Sequence, residues 1–170
     1  MDDRQLLELL DQLRNRFYGK YRGSVTQVDA GTLRIKAKVP AVFEDQESGW
    51  CRACVPYAGD QVGIAFLPEV GSGVWIEFEG GDVSYPIWSG CYWRSGEEPS
   101  DADAAVKVIV TVAPNKILID DDQATITVTD SNQNTVTLDS NGITLERGSS
   151  SLVVSDSEVN INDGNLEVSA

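Results

Sequence analysis

The sequence predicts an all-β protein in two unlike parts: a small barrel preceded by a short helix, then a ladder of short strands that one chain cannot cover alone. Three observations carry that reading. Short segments with apolar side chains at every second position recur from Lys20 onward, the period of a strand with one buried face. All 13 aromatic side chains lie between Phe17 and Trp93, so the rest must pack without a large ring. The formal charge of −14 is uneven, with 15 acidic and 10 basic side chains in residues 1–100 against 12 and 3 in residues 101–170. An acidic surface repels phosphate, which argues against nucleic acid or an anionic membrane as a stable partner.

Residues 1–18 hold the helix. Leu6, Leu9, Leu10, Leu13 and Phe17 fall on one stripe of a 3.6-residue period, with Asp2 and Asp3 near the positive end of the helix dipole and Arg14 and Arg16 near the negative end. A helix this short needs a surface to pack on, either its own barrel or a neighbouring subunit. Residues 19–95 are the barrel, with strands expected at about 20–28, 32–42, 61–67, 73–79 and 86–93. Leu33, Ile35, Ala37 and Val39 form an inward row alternating with Arg34, Lys36 and Lys38. Val74, Ile76 and Phe78 alternate in the same way with Trp75, Glu77 and Glu79, so the basic and acidic rows are expected to pair across the sheet. Gly80-Gly81-Asp82 reads as a turn.

Residues 96–105 are small, polar and acidic, and read as a linker. Residues 106–170 then repeat a short strand eight times, each seven to ten residues from the next, with Asp, Asn, Ser or Gly at most turns. A thin row of Val, Ile and Leu on a single chain has nothing to close over it, whereas several chains sharing an axis can bury it. The candidates for that shared core are Ile117, Ile119, Ile126, Val128, Val136, Leu138, Ile143, Leu145, Val159, Ile161, Leu166 and Val168.

Chemistry is sparse. With no histidine in the chain, the commonest general base and every Ser-His or Cys-His nucleophile pair are missing, so no enzyme and no cofactor are expected. Cys51-Arg-Ala-Cys54 has the spacing of half a zinc site or of a redox dithiol, but only Cys91 and carboxylates remain to complete four zinc ligands. Structural thiols, a metal site and a redox pair are the three readings. Asp120-Asp121-Asp122 reads as a solvated bend or a Ca²⁺ site. Arg34, Lys36 and Lys38 near Trp and Tyr are what a single-strand-binding face would use, which leaves a binding module for nucleic acid or glycan as the alternative function. No run of 18 apolar residues is present, and the start lacks the basic residues and apolar centre of a signal peptide. The expectation is a protein made in the cytoplasm and kept there unless a particle carries it out.

Ser48-Gly-Trp-Cys, Phe66-Leu-Pro-Glu-Val-Gly, Glu77-Phe-Glu-Gly-Gly-Asp and Tyr85-Pro-Ile-Trp-Ser-Gly-Cys resemble the oligonucleotide/oligosaccharide-binding (OB) domain of the spike proteins of contractile injection systems, the family of phage baseplate assembly protein V, the T4 spike and VgrG. The resemblance implies a five-stranded OB barrel followed by a trimeric, intertwined β-helix shaped as a triangular prism. It also implies the partners: a homotrimer, a baseplate hub protein above, a PAAR-like tip protein below, and only transient contact with a target membrane. The function it implies is a membrane-piercing spike at the tip of an inner tube, in a phage tail or phage tail-like particle. Some relatives close their point with a His-x-His iron site, which a chain without histidine cannot form.

Overall fold

The computed structural model describes residues 15–165 together with Asp2, Arg4, Gln5 and Leu10. The chain forms two compact units, Met1–Glu97 and Glu98–Ala170. Most of the expected N-terminal helix lies outside the described residues, although Arg4, Gln5 and Leu10 are helical.

The first unit is a curled sheet in the order β2-β1-β6-β7-β3, made of β1 (Tyr21–Asp29), β2 (Arg34–Lys38), β3 (Arg52–Ala53), β6 (Gly73–Phe78) and β7 (Pro86–Tyr92). Its core takes Ile35, Ala37, Val39, Val74, Ile76 and Phe78 from the alternating rows and adds Val25, Cys51 and Trp88. Register shifts between Val25 and Gln27 on β1, and between Val74 and Ile76 on β6, bend the sheet as bulges do. The chain before β1 closes one end: Phe17 stacks edge-on against Tyr21 and Phe78, and its N–H donates to the Gly81 carbonyl.

Several expectations about the barrel are corrected. The second strand ends at Lys38, because Pro40 opens a four-residue helix, α1 (Pro40–Phe43), where its fixed φ suits the first turn. Leu33 leaves the inward row; it sits at a positive φ of 53° and is exposed. The stretch 61–67 is no barrel strand. Its start pairs back on itself as β4 (Ala58–Gly59) and β5 (Val62–Gly63), and the two-residue β3 takes the fifth place instead.

The second unit is one antiparallel meander of seven strands, β8 (Val106–Val110), β9 (Lys116–Asp120), β10 (Thr125–Thr129), β11 (Thr135–Asp139), β12 (Gly142–Arg147), β13 (Ser150–Val154) and β14 (Val159–Ile161). The expected eighth strand falls outside the described residues, which end at Asn165. Each inner strand is flanked by its own sequence neighbours. Among the described residues, only the outer edges of β8 and β14 lack a neighbouring strand in this sheet.

Strand-ending aspartates make the turns. Asp120 accepts from the N–H groups of Asp122 and Gln123, and Asp139 accepts from the Asn141 N–H. Asp130 accepts from the backbone N–H groups and side-chain amides of both Asn132 and Asn134. Those four donors favour the ionised form, led by the Asn134 N–H, and hold the Asp130 pKa down to about 2. The Asp-rich bends are thus occupied by their own backbone, as turn-forming Asp side chains commonly are.

Candidate functional site

The strand register of the second unit sorts its side chains into two faces. Lys107, Ile119, Ile126, Leu138, Ile143, Val154 and Val159 are successive cross-strand neighbours, and form one row. Ile109, Ile117, Val128, Val136, Leu145, Leu152 and Ile161 form a second row two residues along each strand, on the same face. The other face carries Leu118, Thr127, Thr137, Thr144 and Val153 in one cross-strand line. Ten of the twelve core candidates read from the sequence lie in the two apolar rows; Leu166 and Val168 lie outside the described residues.

This apolar face is uncovered in the single chain. Ile126, Val128, Leu138 and Leu145 are 40%, 41%, 40% and 42% exposed, against 0% for Ile35 and Ile76 in the barrel core. A shallow trough of about 560 Å³ runs along the second row from Val128 to Ile161. A continuous aliphatic strip across seven strands is larger than the scattered apolar residues of an ordinary surface and marks an interaction face. Its upper end is polar, since Lys107 pairs there with Asp121 and donates to the Ala104 carbonyl.

In the first unit, the Ser48-Gly-Trp-Cys motif holds the barrel shut. Ser48 donates its hydroxyl to the Gly49 carbonyl (2.8 Å) and accepts from the Ala37 N–H (3.0 Å), while its own N–H donates to the Ala37 carbonyl (2.9 Å). Cys51 bridges to Ile35 on β2, and Arg52–Ala53 pair in parallel with β7. Residues 48–53 therefore join the two edges of the sheet. The Cys51 thiol is fully buried 3.3 Å from the Ser48 hydroxyl, and burial pushes its pKa up. Burial, and then the Glu69 carboxylate, also push up that of exposed Cys91. Raised thiol pKa values oppose both metal ligation and nucleophilic chemistry, which use the thiolate. All three cysteines are free thiols, and among the described residues no three His, Cys, Asp or Glu side chains gather as a metal site.

The expected pairing of basic and acidic rows is corrected too, because β1 lies between β2 and β6. Lys36 meets Glu47 at 3.8 Å and packs over the Trp50 ring, Lys38 meets Asp45 at 3.4 Å, and Glu77 meets Lys20 at 3.2 Å. The α1–β3 loop that supplies Asp45 and Glu47 was not recognisable as a charge partner, since only the fold brings it beside β2. Part of the basic row that a nucleic-acid face would use is thus engaged by carboxylates. Beneath the β4–β5 hairpin lies a groove of about 600 Å³ walled by Leu33, Val55, Tyr57, Phe66, Leu67 and Trp88, with Arg34 and Arg52 as its charged members.

Comparison with known proteins matches both units. Residues 21–93 match the type VI secretion system/phage-baseplate injector OB domain, and residues 106–167 match the phage baseplate V C-terminal trimerisation domain. No curated protein matches the chain. The trimerisation match falls on the very strands whose apolar face is uncovered, and the injector match on the barrel that the Ser48–Cys51 segment closes, so that the chain belongs to the phage baseplate V family of injector spike proteins, structural components of the baseplate.

Proposed function

We propose that this protein is the central spike at the tip of the inner tube of a contractile injection particle, and that three copies of residues 106–170 form a needle driven through an envelope. The observation that carries the reading is the two-row aliphatic face, seven strands long, in a trimerisation domain. Three such faces turned inward would exchange an exposed aliphatic strip for a dry core, at roughly 25 cal/mol per Å² of apolar surface removed from water. The outward faces would then present threonine hydroxyls to solvent. The barrel would meet the baseplate hub, and a PAAR-like protein would cover the point, as the family resemblance implies.

The work is mechanical. Apart from Lys107 at one end, the groups in the two rows of the trimerisation face are aliphatic, and the chain has no histidine. The test is to isolate the particles and count this chain. Three copies per particle, with density for them at the leading end of the tube, is the expected result. A Val136→Asp chain should give particles whose sheath still contracts but which no longer permeabilise target cells. Unchanged permeabilisation by particles carrying that chain as a monomer would refute the proposal.

A further inference from the structure

The geometry points to a definite arrangement of the three chains: the Ile119–Ile126–Leu138–Ile143–Val154 row of one copy packs against the Ile117–Val128–Val136–Leu145–Leu152 row of the next, so no row meets its own equivalent. This rests on the trimer proposed above and adds which side chains meet which.

The direction of the rows decides it. If the strands ran along the three-fold axis, each wall of the prism would be seven strands wide, ~29 Å at ~4.8 Å per strand. A triangle of that edge puts its walls ~8 Å from the axis, whereas facing sheets pack ~10 Å apart, so side chains fill only ~5 Å in front of their own backbone. Such a prism would be hollow. If the strands run around the axis, each wall is one five-residue strand wide, ~17 Å at ~3.4 Å per residue, and the axis lies ~5 Å away. Aliphatic side chains fill that space, so the two rows run parallel to the axis.

Each wall then brings two inward side chains to every level, one on either side of an outward threonine such as Thr127 or Thr137. Threefold rotation sets the left-hand side chain of one wall into a corner with the right-hand side chain of the next, the heterologous contact that closes a cyclic ring. The trough along Val128, Val136, Leu145 and Leu152 is the seat for the neighbour's other row. Lys107 heads the opposite row at its upper end, so aliphatic packing in that row starts at Ile119.

Cysteine pairs read this contact directly, because a disulfide forms only when Cβ atoms lie ~3.5–4.5 Å apart. Full-length chains carrying Val136→Cys or Leu138→Cys alone, and Val136→Cys together with Leu138→Cys, Ile126→Cys or Ile143→Cys, are oxidised and run on a denaturing gel without reductant. The wild type, with its own Cys51, Cys54 and Cys91, runs alongside. The three combinations sample the same level and one strand above or below, which allows for strand tilt. Expected are no new covalent species from either single change, and a covalent trimer from at least one pair. A strong dimer band from a single change would overturn the arrangement, as would three pairs that all fail to link while the native mass stays at three copies. A native mass of one copy for the wild type would overturn the trimer itself, and light scattering separates the two failures.

Discussion

Ser48 is a buried polar residue whose hydroxyl cannot be replaced by water. Its hydroxyl is the acceptor for the buried Ala37 N–H, and both neighbours lie at the seam where residues 48–53 close the barrel. Ser48→Ala strands that donor, which costs about 1–3 kcal/mol. Urea unfolding followed by tryptophan fluorescence should show the midpoint fall with an unchanged slope. Cys51 beside it should resist thiol reagents until the barrel unfolds, while exposed Cys54 reacts in the native protein. Asp130 gives a pH signature. Its folded pKa of about 2 lies below the ordinary 3.8, so the stability it confers is complete above pH 4 and is lost as pH falls through 2. The stability gap between wild type and Asp130→Asn should therefore be flat from pH 7 to 4 and narrow only in stronger acid. A gap that narrows near neutrality would mean that another group is responsible.

Elements are where face assignment is tested. Ile126 and Val136 lie in the apolar rows and Thr127 between them on the opposite face. An unpaired charge in a narrow aliphatic core costs several kcal/mol. Ile126→Asp or Val136→Asp should thus give a monomer by light scattering, and Thr127→Asp should leave the trimer intact. Gly142 makes a second test, since its φ of +126° disfavours a side chain and a Cβ there would strike the Val154 carbonyl. Gly142→Ala should lower stability by more than about 1 kcal/mol and open the β12–β13 pairing to hydrogen exchange. The strands of the second unit were legible because they repeat the same two-residue period, with Asp, Asn, Ser or Gly at most of the turns. The barrel was half legible. Long alternating rows such as Val74, Ile76 and Phe78 announced β6, but the two-residue β3 is too short to show any period. Alternation also could not reveal that Lys36 and Lys38 would find Glu47 and Asp45, because that neighbourhood depends on which strand lies between β2 and β6.

For the whole molecule, the two units divide the thermodynamic burden. The barrel carries its own buried core, whereas the meander has its aliphatic rows half exposed until other copies arrive. Dilution should accordingly loosen the second unit before the first, with barrel tryptophan fluorescence unchanged as sheet circular dichroism falls. The meander also has a kinetic meaning. Every strand in residues 106–161 pairs with the strand next to it in sequence, so only short loops need closing within a chain. Chains dominated by such local contacts fold fast. Hairpins should thus zip early and reversibly in each copy, and the slow event in making the trimer becomes the encounter of chains. Refolding after dilution from denaturant should speed up as protein concentration rises, until the encounter no longer limits the rate. A spike built this way would assemble at a pace set by how many newly made copies share the same small volume of the cell.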